Sequence, residues 1–449
     1  MEFRFRDRSV ASDSSRVVAR CLLFAALSLA TFRVALAAGE GFYGPLELHD
    51  RELQLLKTAA ALEDLFRQRG YRYENRELES LVARTGAKLA PKPTDDYIRY
   101  RFFITRDCAA NAFTLPDGQV YITTGLLALL DNEAQLAATL AHEVQHAAGH
   151  HGIVSYRSQR HKVIGGFILG PLTLGVGDYF LENSIMGYSR DLEEEADRRG
   201  ARAALLAGYD PRQIPRLFQI LMDDPEGEQP RIKAKWSDHP ALEARIAYTK
   251  EMVPGLLVGA DTANLIVNAS GYRRLVRRTT LDTVEDFIAA DYPRSALRVA
   301  RRLVAEDPAD PVCRLALADA RRALGPRADV AGEQNLTNKE KKRNLAARIV
   351  LTRDERQERL LDTPEGQHNL KINLEAARKS YDKVLELDPG MAEAHRGLGY
   401  LNRALGRPID AGTEFVAYLK ARPDAADKAV IQAELRQITN EIRKGGTRE

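Results

Sequence analysis

Cysteine is almost missing: Cys21, Cys108 and Cys313 are the only three in 449 residues. Only Cys108 and Cys313 lie beyond the N-terminal leader read below, and they fall in separate predicted domains. Two such thiols exclude a disulfide-stapled fold. They also leave no cysteine-rich zinc site, so both are expected to be small buried hydrophobes. Charge of one sign is scarce as well. The formal net charge is +3, and the first 37 residues account for all of it, with six Arg against Glu2, Asp7 and Asp13. A neutral body argues against nucleic acid as a partner. The apolar run from Cys21 to Phe32 has 12 residues, short of the ~20 that span a bilayer. A second apolar stretch, Val163 to Val176, is broken by Gly165, Gly166, Gly170, Pro171 and Gly175. It is too short and too interrupted for a transmembrane helix, and reads as a flap over a site or a loop that touches a membrane surface.

What is present begins with an export signal. Basic residues lead to Arg20, the short apolar run follows, and Ala35-Leu36-Ala37 is a small-x-small cleavage pattern. Residues 1–37 are therefore read as a signal peptide; an uncleaved anchor is the rival reading, and the shortness of the run counts against it. The remaining length suits two to three domains. Residues 38–100 are expected to be helices, 101–255 the catalytic core, and 256–449 a helical repeat domain.

Within the first part, Leu55, Ala59, Leu62 and Phe66 recur at helical spacing. Gly70 interrupts that run, and Pro91 and Pro93 punctuate its end. Tyr100 to Thr105 and Gln119 to Thr123 read as strands around the turn Pro116-Asp117-Gly118. Asp131 and Asn132 are candidate N-caps of a helix whose Leu136, Leu140 and Val144 share one face. A further helix is expected over Arg190 to Leu206. Toward the C-terminus, Ala377, Tyr381, Val384 and Pro389 recur 34 residues later as Ala411, Phe415, Tyr418 and Pro423. An earlier copy reads Ala296, Ala300, Leu303 and Pro308. The period resembles that of tetratricopeptide repeats. The run Lys339-Glu340-Lys341-Lys342-Arg343 reads as a solvated face.

The chemistry concentrates at His142-Glu143-Val144-Gln145-His146. Two imidazoles four residues apart lie on one helix face, about 6 Å apart along the axis at ~1.5 Å per residue. Together they suit one Zn²⁺ ion, and Glu143 is placed to act as general base on a water that the metal acidifies. A third ligand is needed. His150 would extend the same helical face by one turn, toward a supporting place at the rim, and His151 follows it. A carboxylate from the segment Ser189 to Asp197 is the better candidate, although spacing alone does not choose among Glu193, Glu194 and Glu195. Asp197, one turn beyond Glu193, could accept a hydrogen bond from a ligand imidazole.

The order His-Glu-x-x-His, then Ser-Arg-x-x-Glu-x-Glu-Ala-Asp, resembles the peptidase family that holds the CAAX prenyl protease and the heat-shock protease HtpX. Asn111-Ala112-Phe113, Leu115-Pro116, Thr124-Gly125-Leu126 and His239-Pro240 with Arg245-Ile246 match further motifs of that family. The resemblance covers roughly residues 100 to 250. It implies an α+β, mostly helical zincin-type (gluzincin) domain with a small sheet, followed here by the all-α repeats. It further implies His142, His146 and Glu193 as ligands of one Zn²⁺ per chain, Asp197 as a ligand's partner, and Glu143 as the base. His239 would approach the metal and restrain activity, though Asp238 stands where Thr or Ser is usual. Asn111, Ala112 and Phe113 are expected to offer an edge strand to an extended substrate.

With a leader in front and repeats behind, the layout is similar to the family's periplasmic, repeat-bearing members. That implies a zinc endopeptidase of the cell envelope, acting on unfolded or misassembled exported proteins such as stalled outer-membrane proteins. Its repeats would contact the barrel assembly machinery, with peripheral membrane contact and some chaperone activity. The competing reading is an assembly factor with a latent or structural zinc site. Multiple membrane spans are lacking, which counts against prenyl-protein cleavage.

Overall fold

The computed structural model describes residues 44–158, 188–223, 242–328 and 353–445. The leader, the glycine-broken stretch from Val163 to Val176, His239 and the charged run at 339–343 lie outside the described residues. The fold is mostly helical around one small sheet. Helix α1 (Asp50–Gln68) buries Ala59, Leu62 and Phe66 of the predicted stripe; Leu55 is only half-buried, and Leu56 beside it is buried instead. Gly70, at φ +70°, turns the chain after it. In α2 (Arg76–Leu89) the N-cap Asn75 accepts a hydrogen bond from the Leu78 N–H.

Strands β1 (Arg101–Thr105), β2 (Ala112–Thr114) and β3 (Gln119–Thr123) form a sheet of order β1-β3-β2. β1 runs parallel to β3, and β2 antiparallel to it. Helix α3 (Thr124–Leu129) continues directly from β3, capped by the Thr123 hydroxyl. Gly125 is required there, because a Cβ would lie 2.0 Å from the Cys108 carbonyl oxygen.

Helix α4 (Glu133–Ala148) starts at Asn132, the second of the two predicted caps, whose side chain accepts from the Gln135 N–H. Leu136, Leu140 and Val144 are fully buried, so that face anchors α4 in the core. After a helical stretch at 151–158 come α5 (Arg190–Leu206), α6 (Ile214–Met222) and α7 (Leu242–Leu256). Helix α5 has the predicted limits.

The C-terminal part is all helix: α8 (Ala269–Ala289), α9 (Pro293–Glu306), α10 (Pro311–Leu324), α11 (Arg353–Leu361), α12 (Pro364–Leu387), α13 (Ala392–Ala404), α14 (Pro408–Ala421) and α15 (Lys428–Gly445). The repeat residues interlock as small-and-aromatic pairs. Tyr381 and Phe415 are fully buried, and their rings occupy the space where Cβ atoms of Gly397 and Gly399 would stand. No break in the core marks residue 256, since one apolar cluster runs from Tyr73 through Leu140 to Leu324. Polar contacts cross the same boundary: the Tyr272 hydroxyl donates to the Leu127 carbonyl at 2.9 Å, and Arg302 donates to that of Leu129 at 3.0 Å. Among the described residues no helix is long and apolar enough to cross a membrane.

Candidate metal centre

Because α4 is held by its apolar face, His142 and His146 project together one turn apart. Their rings meet edge-on with centroids 4.6 Å apart, and their Nε2 atoms are 3.0 Å from each other. Helix α5 supplies the acid. Capped at Ser189, it places Glu193 in its first turn, fully buried. The Glu193 carboxylate has Oε2 at 3.5 Å from His142 Nε2 and Oε1 at 3.5 Å from His146 Nε2. The donor atoms of the three side chains all lie within 4.8 Å of one another. Gly200 lets α5 come this close to α4: a Cβ there would stand 3.0 Å from the His142 nitrogen.

Donors bound tetrahedrally at about 2.0–2.1 Å from one ion would be separated by about 3.3 Å. The observed 3.0, 3.5 and 3.5 Å bracket that value, so two neutral imidazoles and one carboxylate fit a single divalent cation as three of its ligands. Tautomers agree with this. His142 Nδ1 lies 2.8 Å from Asp197 Oδ1, so it donates there and turns the Nε2 lone pair toward the cluster.

Asp197 is in turn clamped. Arg245 donates through Nε to Oδ2 at 2.9 Å and through Nη2 to Oδ1 at 2.6 Å, and the Tyr248 hydroxyl also donates to it. Burial opposes ionisation of Asp197, but Arg245 and His142 outweigh it and hold the carboxyl well below the usual range. Arg245 itself is 1% exposed. Sequence reading assigned Arg245 to a motif without a task and passed over Tyr248. It also missed Tyr188, whose ring stacks on His146 at 3.9 Å from the position just before the α5 cap.

Glu143 is buried at 8% exposure. With His142 it lines a cavity of about 40 Å³ whose other walls include Leu126, Ala138, Ile214 and Leu217. The catalytic candidate thus faces a mostly apolar space beside the ligand cluster, whose lining also includes Thr139, Asp197 and Arg245.

Two expectations are corrected. His150 does not continue the α4 face. The helix stops at Ala148 with Gly149 as its C-cap, and His150 takes φ +54°. Its ring turns to the Tyr97 hydroxyl at 2.8 Å and to Asp95 at 3.3 Å. His151 instead reaches the cluster, with its Nδ1 2.9 Å from His146 Nδ1. Burial pushes the His151 pKa down to about 4, so the ring is neutral at pH 7. The second correction concerns the substrate strand. Ala112 and Phe113 do form the sheet edge strand β2, with Asn111 just before it, but they are 5% and 4% exposed. Phe113 stacks on Tyr121 at 4.9 Å. An extended chain reaches this edge only by displacing what covers it.

Comparison with known proteins agrees with the geometry. Residues 72–253 match the sequence profile of peptidase family M48. The mitochondrial metalloendopeptidase OMA1 of Schizosaccharomyces pombe is 30% identical over 197 residues, which are 43% of this chain and 56% of that one. A putative beta-barrel assembly-enhancing protease of Vibrio cholerae is 29% identical over 188 residues, 39% of each chain. The beta-barrel assembly-enhancing protease of Escherichia coli K12 is 25% identical over 186 residues, 38% of each. The match therefore spans from under two fifths to just over half the length of these curated relatives.

Proposed function

We propose that this chain is a metalloprotease that holds one zinc ion through His142, His146 and Glu193 and cleaves peptide bonds, a reading supported by the match of residues 72–253 to peptidase family M48. The observation that carries this reading is the meeting of those three side chains, from two helices, within 4.8 Å. Imidazole and carboxylate donors suit zinc. Bound there, zinc supplies the Lewis acidity that makes water nucleophilic at neutral pH.

The protein's own groups do the rest. Glu143 takes a proton from the attacking water as its oxygen bonds to the scissile carbonyl carbon. It returns that proton to the departing amine nitrogen as the C–N bond breaks, and ends unchanged. Asp197, clamped by Arg245, keeps His142 in the ligating tautomer. The mostly apolar cavity beside Glu143 receives an apolar substrate side chain.

The substrates are unfolded or misassembled exported proteins, including outer-membrane proteins, and the site of action is the periplasm. The leader pattern and the names of the Vibrio and Escherichia relatives support this. The C-terminal helices, whose Ile409 and Val416 are 68% and 55% exposed, dock the chain to the barrel assembly machinery and give it an assembly role beside proteolysis.

Zinc content and casein cleavage, measured together on wild type and Glu143→Gln, test the enzymatic core. The variant should keep one zinc per chain and lose cleavage by about 10²–10⁴-fold. Casein digestion that survives Glu143→Gln overturns the assignment.

A further inference from the structure

His151 lies five residues after His146. On an unbroken helix that offset points about 140° away around the axis. The stop at Ala148 and the turn through Gly149 and His150, at φ +54°, bring it back. His146 and His151 are each 1% exposed, and their Nδ1 atoms are 2.9 Å apart. We propose that His151 is a positioning residue that accepts the Nδ1–H of His146, and that Glu195 sets the tautomer in which it can do so. The inference rests on the zinc reading above.

At 2.9 Å one of the two nitrogens carries the shared proton and the other presents a lone pair. If His151 donates, a neutral His146 has its own proton on Nε2, the atom that faces Glu193 and His142, and cannot ligate a metal. If His146 donates, its Nε2 lone pair points into the cluster and the His151 proton sits on Nε2. Glu195 selects the second arrangement. Its Oε2 is 3.7 Å from His151 Nε2, too far for a direct hydrogen bond but on the side where a carboxylate favours a proton. Arg199 holds Glu195 in place at 3.0 Å. Tyr188 stacks on His146 with an interplanar angle of 16° and meets His151 edge-on at 5.9 Å, which fixes both ring planes.

Three acids on α5 thereby take three tasks. Glu193 holds the metal, Asp197 orients His142, and Glu195 orients His146 through His151. Each ligand imidazole has its own carboxylate behind it, directly in one case and through a second imidazole in the other.

The test uses the full chain. Zinc affinity is measured by competition with a chelator of known strength, alongside the melting temperature of the metal-free protein. His151→Leu should weaken zinc binding by roughly 10–100-fold, the usual cost of losing a ligand's hydrogen-bond partner. His151→Asn, whose amide oxygen can accept the same proton, should recover most of that loss. Cobalt substitution adds a readout that packing alone would not move: the visible spectrum should change in His151→Leu and return in His151→Asn. A folded His151→Leu protein that binds zinc within twofold of wild type overturns the inference. So does an equal loss in both variants that tracks a lower metal-free melting temperature, which would make His151 a packing residue. A wild-type chain that takes up no zinc at all instead sinks the metal assignment itself.

Discussion

Replacing Gly200 by Ala asks whether the spacing of two helices sets the metal site. Gly200 lies on α5 against the backbone of α4, and a Cβ there would meet His142 N at 3.0 Å, Ala141 C at 3.2 Å and His142 Cα at 3.2 Å. These are backbone atoms, so no side chain can swing aside, and the helices must part by a few tenths of an ångström. Two opposing contributions decide stability. Ala in place of Gly in a helix gains about 1 kcal/mol, and overpacking costs about 1–3 kcal/mol, so the metal-free protein should lose between about 0 and 2 kcal/mol.

The metal is the sharper reporter. Ligand distances tolerate about ±0.2 Å, and Glu193 rides on the helix that moves while His142 rides on the one that stays. A strain of about 1–2 kcal/mol borne by the site weakens zinc binding by roughly 5–30-fold. Gly200→Val should do worse. Gly412→Ala is the control: its Cβ would meet only Ile438 and Leu435 side chains at 3.7 and 3.9 Å, so it should raise stability and leave zinc alone. Chelator competition and urea unfolding on the three variants provide the readings. A Gly200→Ala chain that binds zinc as tightly as wild type and cleaves casein at the same rate would refute the spacing argument.

Two further outcomes are expected. Arg245→Met leaves Asp197 buried without its main counter-charge, the pair being 2% exposed on each side. Metal-free stability should fall by about 3–5 kcal/mol in urea, and a loss under about 1 kcal/mol would mean Asp197 is held by other groups. The second outcome concerns acid. The hydrogen bond from Arg157 lowers the Glu52 pKa from 4.5 to about 2, against an opposing effect of burial. A depressed carboxyl contributes its full stability above its unfolded pKa and loses it as pH falls through the folded one. The gap in melting temperature between wild type and Glu52→Gln should therefore shrink from about pH 5 to about pH 2.5; a constant gap would remove Glu52 from the acid response.

Much of the catalytic half was legible because its signals are local. The Arg190–Leu206 helix, the Asn132 cap and the buried face of Leu136, Leu140 and Val144 follow from periodicity and capping chemistry. His142 and His146 needed only the helical repeat to come together. Glu193 could not be chosen over its two neighbours by spacing; resemblance named it, and the geometry then put its carboxylate 3.5 Å from both imidazoles. His150 was misread because sequence separation says nothing about where a helix stops. The stop signal was present all the same, as Gly149 at the C-cap. Burial of β2 was beyond reach, since a strand's register is local but its cover comes from elsewhere in the chain.

Contacts across residue 256 give the C-terminal helices a part in the peptidase. Arg302 on α9 donates to the carbonyls of Ala128 and Leu129, at the end of α3, where a helix leaves carbonyls without internal partners. A cation at that end also complements the helix dipole. Tyr272 on α8 takes the Leu127 carbonyl, and Arg302 further pairs with Asp131 at 3.5 Å. Asp131 stands next to Asn132, the cap from which α4 begins. The brace thus ends one residue before the cap of the helix that carries both imidazoles. Without α8 and α9 these carbonyls and the apolar faces around Leu127 and Leu129 would lie open, and the start of α4 would lose its support.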